Sequence, residues 1–175
     1  MKYLKTIMFA LAILLVTASF AAPQDGDRQR RFRAHLRGPN EVPLTLSGGK
    51  GKLRLTVSDD DSSVHFVLTY EGFQTPVLFA HIHVGQPNVN GGITVYFCCG
   101  GGRPACPQQG TVEGDFTTAN VIALPTQQLN ATDLSKLLKA IRAGRTYANV
   151  HTMTSPGGEI RGQIQIGRAS CRERV

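Results

Sequence analysis

The chain has 175 residues, 41% of them apolar and 18% charged, with a formal net charge of +7. That length and apolar share suffice for one domain with a single core. The basic excess is gathered at the ends: removing Lys2 and Lys5 at one end, and three arginines with Glu173 at the other, lowers it to +3. Much of the remainder lies in Arg28-Gln29-Arg30-Arg31-Phe32-Arg33, and without basic and aromatic residues interleaved elsewhere no nucleic-acid partner is expected.

Residues 1–22 run from Lys2 and Lys5 through an apolar stretch, Ile7 to Val16, to Ala18-Ser19-Phe20-Ala21-Ala22. This is the pattern of a secretory signal peptide cleaved after Ala21 or Ala22. The apolar run is shorter than the roughly 20 residues of a spanning helix, so a secreted or periplasmic protein with no stable membrane span after cleavage is expected. Residues 23–31 read as a solvated basic leader and residues 32–165 as the domain. Ile166 to Val175 has no periodicity and resembles the translation of a sequencing-adapter read-through, so 166–175 is set apart as a non-native tail.

The domain alternates short β-like runs with turn signals. Phe32, Ala34 and Leu36 alternate with Arg33 and His35 before Gly38-Pro39-Asn40, and Glu41-Val42-Pro43 opens an extended stretch. Leu53, Leu55 and Val57 alternate with Lys52, Arg54 and Thr56, which predicts a half-buried strand. Asp59-Asp60-Asp61-Ser62 lacks the remote carboxylate of a calcium loop and reads as a hairpin turn into Val64, Phe66, Leu68 and Tyr70, with His65 on the other face. Beyond Pro76 comes Phe79-Ala80-His81-Ile82-His83-Val84, then Ile93 to Phe97, then a weakly patterned stretch from Gly114 to Ile122. Leu134, Leu137, Leu138 and Ile141 lie at i, i+3, i+4 and i+7, predicting a helix capped by Asn130 or Thr132, ended by Gly144, and laid over one end of the core. Thr146 to Thr152 and a half-exposed run from Glu159 to Ile164 close the domain. About seven short strands with Gly and Pro turns and one short helix predict an antiparallel β-sandwich.

Cys98, Cys99 and Cys106 lie in a Gly- and Pro-rich segment. In an exported protein they predict one disulfide, from Cys106 to Cys98 or to Cys99, with one thiol left over. Their spacing matches no four-ligand zinc pattern.

His81 and His83 are two residues apart in a strand, so their imidazoles leave the same face. With His151 from a second strand they make a candidate metal site, and three neutral imidazoles suit copper or zinc. Asn149 or Glu159 would orient an imidazole through its second nitrogen, and Arg161 would favour an anionic ligand. The competing reading makes the histidines sheet residues bonded to loops and Glu159 with Arg161 a surface ion pair. The two readings part on geometry: nitrogens about 3 to 4 Å apart can share an ion bound at roughly 2.0 Å.

Leu36-Arg37-Gly38-Pro39-Asn40-Glu41-Val42-Pro43, Ala80-His81-Ile82-His83-Val84-Gly85, Asn90-Gly91-Gly92, Gly144 to Thr152 and Pro156-Gly157-Gly158-Glu159-Ile160-Arg161-Gly162-Gln163 together resemble the CHRD domain family, first described in chordin. The resemblance spans Phe32 to Ile164 and implies an extracellular domain. A fainter resemblance, to Cu/Zn superoxide dismutase, matches His81, His83, His151 and Arg161, with no counterpart of that enzyme's bridging histidine or zinc loop. Together they imply a Greek-key-type sandwich of superoxide-dismutase-like or immunoglobulin-like kind.

Three functions follow from this reading. The first is a secreted CHRD-domain binding protein holding copper or zinc through His81, His83 and His151. The second is a metal-free module binding an extracellular protein or polysaccharide, and the third a dismutase-like oxidoreductase. No Ser/His/Asp triad, phosphate-cradling loop or paired-carboxylate site stands out, so no catalytic residue is assigned.

Overall fold

The computed structural model describes residues 29–167, so the stretch read as a signal peptide and most of the stretch read as a non-native tail lie outside the described residues. Among the described residues nine strands form one antiparallel sheet: β1 (Arg31–Arg37), β2 (Lys50–Val57), β3 (Ser63–Glu71), β4 (Val77–Val84), β5 (Gly92–Cys98), β6 (Gly110–Thr117), β7 (Thr146–Thr152), β8 (Ile160–Gln163) and β9 (Gln165–Ile166). Their order is β5-β4-β7-β8-β1-β2-β3-β6, with β9 paired to β1. The end strands β5 and β6 approach each other, so the sheet curls nearly into a barrel whose halves, β5-β4-β7-β8 and β1-β2-β3-β6, face each other as in a sandwich. The halves join where β8 meets β1, at the register pair Arg37 and Arg161.

The alternating residues supply the core. Phe32, Ala34 and Leu36, then Leu53, Leu55 and Val57, then Val64, Phe66, Leu68 and Tyr70 point inward and are buried, while the residues between them are exposed or half-buried. From the other half come Ala80, Ile82, Val95, Phe97, Ala148, Val150 and Ile160. The Phe66 and Phe97 rings, 4.8 Å apart, join the halves through the middle. Each large side chain so buried contributes roughly 1.5–3 kcal/mol.

The helix α1 (Leu134–Arg142) buries Leu134, Leu137, Leu138 and Ile141 against this core. Its N-cap is Asp133, whose carboxylate accepts the Lys136 N–H at 2.9 Å, and not Asn130 or Thr132. Thr132 has a φ of 63°, outside the extended conformation typical of an N-cap. Gly144, at φ 66°, follows the helix end as expected.

Three further readings are revised. The weakly patterned stretch contains a full strand, β6, paired along β3 from Ser63↔Thr117 to Tyr70↔Gly110. Arg31, placed in the leader, opens β1, and Ile166 and Gly167, placed in the tail, pair with β1. The run from Glu159 is not half-exposed: Glu159 and Arg161 are buried like Ile160, because loops cover the outer face of β8.

Candidate functional site

Strand alternation sends Ala80 and Ile82 of β4 into the core and His81 and His83 to the outer face. Pairing with β7 sets Phe79 beside His151, His81 beside Asn149 and His83 beside Tyr147. Pairing of β7 with β8 extends these rows to Arg161, beside Asn149, and Gln163, beside Tyr147. An outer face of this kind would ordinarily meet water. Here His81, His83, Asn149, His151 and Arg161 are all at most 7% exposed.

The roof consists of three loops, 38–49, 85–91 and 153–159, tied to each other and to the strands. Asn90 donates to Val42 O at 2.9 Å, and Thr45 Oγ1 donates to Glu159 O at 2.7 Å. Gly158 lets the last loop lie close: a Cβ there would come within 2.7 Å of Asn149 Nδ2 and of Glu41 Oε1. Gly91 is equally constrained, since a Cβ would meet Val84 O at 1.7 Å.

Under this roof the imidazoles of His81, His83 and His151 form a cluster whose candidate ligand atoms lie within 4.8 Å of one another. The His81 ring is 4.5 Å from each of the other two, centroid to centroid. All three share one layer. At up to 4.8 Å their spacing exceeds the roughly 3 to 4 Å of nitrogens that share one ion at roughly 2.0 Å, so a common ion would draw them inward.

Donor and acceptor accounting fixes the tautomers of two rings. His83 Nδ1 lies 2.8 Å from Gly91 O and His151 Nδ1 lies 2.8 Å from Pro156 O. A carbonyl only accepts, so each Nδ1 carries the proton and, in the neutral ring, each Nε2 presents a lone pair. Both lone pairs point at Asn149 Oδ1, at 3.0 Å and 2.9 Å, while Asn149 Nδ2 lies 3.4 Å from Glu41 Oε1. An amide oxygen cannot donate to them, so the amide is better turned by about 180°. They are satisfied if its NH2 faces the rings, one hydrogen to each, with its oxygen toward Glu41. His81 has no such arrangement: both ring nitrogens are buried without a hydrogen-bond partner among the described residues.

Burial holds the rings neutral. It lowers His81 to about 2 and His83 to about 4, assisted by the neighbouring imidazoles, and it lowers His151 as well. Burial also pushes the Glu41 carboxyl up to about 7, against the opposing effect of the Arg161 charge. A neutral Glu41 can donate to the Asn149 oxygen, which completes a chain from Glu41 through Asn149 to the two Nε2 atoms.

The remaining candidates sit as follows. Arg161 lies with its guanidinium carbon 3.4 Å from the Tyr147 ring centroid, and Tyr147 in turn stacks on His83 at 4.5 Å. Its N–H groups go to Asn90 Oδ1 at 3.0 Å, Val89 O at 2.8 Å and Gln86 O at 3.3 Å, so it clamps the 85–91 loop. The Glu159 carboxylate accepts from Ser47 Oγ at 2.5 Å and from Thr152 Oγ1, tying the first loop to β7. Cys98 and Cys106 form a disulfide, which decides between the two pairings, and Cys99 is an exposed thiol. The cysteines stand outside the histidine cluster.

Sequence reading passed over Glu41 and Tyr147 as site residues, and over the carbonyls of Gly91 and Pro156 that orient two imidazoles. Only the lone carboxylate of Asn40-Glu41-Val42-Pro43, beside conformationally restricted residues, hints at Glu41. Backbone carbonyls leave no sequence signal.

The loops and strand ends that meet here are those carrying the five quoted motifs: Glu41 from the first, His81 and His83 from the second, Asn90 and Gly91 from the third, Tyr147, Asn149 and His151 from the fourth, and Pro156, Gly158 and Arg161 from the fifth. Comparison with curated proteins and with solved structures returns no match. Residues 32–164, from the first residue of the core to the last, match the family model of the CHRD domain. The chain therefore belongs to the CHRD domain family.

Proposed function

We propose that this CHRD-domain protein is a secreted metal-binding module whose His81, His83 and His151 hold one copper or zinc ion. The observation that carries the reading is His81. A buried imidazole with neither nitrogen bonded is costly to the fold, and a cation between the rings removes that cost. The donor set suits the ion: three neutral imidazoles, two already in the Nε2-ligating tautomer through carbonyl bonds at Nδ1. Such an ion would supply Lewis acidity or a redox couple. The chain's part is to orient the rings, keep them neutral and exclude water.

Export is supported by the signal-peptide pattern at residues 1–22 and by the occurrence of CHRD domains in extracellular proteins. Among the described residues no helix is long and apolar enough to cross a membrane. A second reading, a structural polar core in a metal-free interaction module, draws on the Asn149 amide, which fits between His83 and His151. That reading leaves His81 unexplained.

The test is titration of the purified chain with Cu(II) and Zn(II), with bound metal measured after gel filtration. The expected outcome is one ion per chain, lost in H81A/H83A and in H151A. A parent protein that retains no ion, or variants that retain it, would overturn the reading.

A further inference from the structure

The outward face of β1 and β2 carries a ladder of arginines and lysines with one histidine among them. In register across the two strands lie Arg33 with Arg54, His35 with Lys52 and Arg37 with Lys50, all exposed, with Arg31 extending the row. Residues on one face of a strand recur about every 6.8 Å and the strands lie about 4.8 Å apart. Among the described residues Lys50 is bridged to Glu71 at 3.0 Å, but no carboxylate forms an ion pair with Arg33, Arg37, Lys52 or Arg54. The acidic residues Glu113 and Asp115 lie two strands away, on β6, where they engage His65.

Like charges directly opposite one another destabilise a sheet. Lysines are often placed on edge strands to prevent aggregation, but β1 and β2 are interior strands, flanked by β8 and β3. Edge protection therefore does not explain the ladder. Beside it, along the junction with β8, runs an open polar cleft of about 390 Å³ lined in part by Arg33, His35, Asn40, Asn88, Gln163 and Gln165. Cationic and amide groups thus lie side by side on one elongated surface.

We propose that this face binds a linear acidic polysaccharide, laid along β1 and β2 with its sulfate or carboxylate groups on the arginines and lysines and its hydroxyls on the amides of the cleft. Nucleic acid fits less well, because the outward positions of β1 and β2 are Arg, Lys, His and Thr and offer no Phe, Tyr or Trp ring and at most the one imidazole of His35 on which a base could stack. A membrane surface fits less well because those positions offer no apolar group to insert. The cleft shares Arg161 with the roofed site but none of His81, His83 and His151, so the proposal does not rest on the metal-site reading.

The probe is heparin, with the dissociation constant of the full chain measured at 0.15 M NaCl. R33T/R54T removes one rung, and K136Q/K139Q removes the same charge from α1. The parent is expected to bind, R33T/R54T to bind about tenfold more weakly or worse, and K136Q/K139Q to stay within about twofold. Thermal unfolding checks that R33T/R54T is folded, and the single variant K52Q, expected to weaken binding by a smaller factor, keeps the test open if it is not. H81A/H83A is expected to bind heparin as the parent does. Absence of parental binding, equal losses in the ladder and helix variants, or tighter binding to duplex DNA or to phosphatidylserine vesicles than to heparin would overturn the proposal.

Discussion

On β1 and β2 the outward side chains, Arg33 and Lys52 among them, reach water, whereas on β4, β7 and β8 the outward side chains lie beneath three loops. The register pair Arg37 and Arg161 puts the contrast at adjacent positions: the first is exposed and the second 2% exposed. Where water covers a sheet, polar side chains need no fixed partner and the surface is free to carry charge. Where loops cover it, each polar group needs a partner inside the protein. Arg161, Glu41, Asn149, His83 and His151 have theirs, and His81 does not.

The largest effect should come from exchanging the two members of that pair for alanine. Arg161→Ala leaves Val89 O, Gln86 O and Asn90 without their donors and strips the Tyr147 face, so a loss of about 3 kcal/mol or more in urea unfolding is expected. Arg37→Ala should change stability by less than about 0.5 kcal/mol. Similar losses at both sites would erase the distinction between the roofed and the open half.

Acidification should act on the roofed half next. Unfolded imidazoles gain protons near pH 6.5, while folded His83 does so only near 4 and His81 near 2. Their contribution is complete above pH 6.5 and is lost as pH falls from there toward 4. Glu41 acts oppositely: its contribution is complete below about 4.5 and is lost as pH rises through about 7. His81 and His83 together outweigh one carboxyl, so stability should fall between pH 6.5 and 4.5 by roughly 1 kcal/mol per pH unit, with His151, also lowered by burial, adding to the fall. A flat unfolding free energy across that range would contradict buried neutral rings.

Glu41→Gln isolates the opposing group. At pH 8 the folded carboxyl is ionised against the preference of its surroundings, and a neutral amide removes that cost, so a gain of roughly 1–3 kcal/mol over the parent is expected, shrinking toward pH 4.5. Loss of stability at pH 8 would mean that an ionised Glu41 is the form the fold prefers. A smaller effect is expected at Gly158, where alanine meets Asn149 and Glu41 at a φ of 124°; a loss of about 1–2 kcal/mol would confirm how closely the third loop lies.

How far the sequence could be read follows the same division. Alternation identified β1, β2 and β3 because one face of each meets the core and the other water, and the i, i+3, i+4 spacing identified α1. It misjudged Glu159 and Arg161, since a polar residue in an alternating run is read as exposed and nothing local announces a loop folding back over it. His81, His83 and His151 were legible as a cluster because imidazoles are scarce and two share a strand face. Glu41, Tyr147 and the carbonyls of Gly91 and Pro156 were not, because their roles depend on contacts between segments far apart in the chain.

The most direct test of the metal reading is His81→Phe, measured by thermal unfolding with and without Cu(II) or Zn(II). Phenylalanine fills the same space beside Phe79 without buried nitrogens. If His81 is kept as a ligand, the metal-free variant should melt at or above the parent's midpoint, and the shift that metal gives the parent, about 2.7 kcal/mol at a hundredfold excess over the dissociation constant, should disappear. A variant that melts lower and is still stabilised by metal as the parent is would contradict the account and leave His81 as a structural residue.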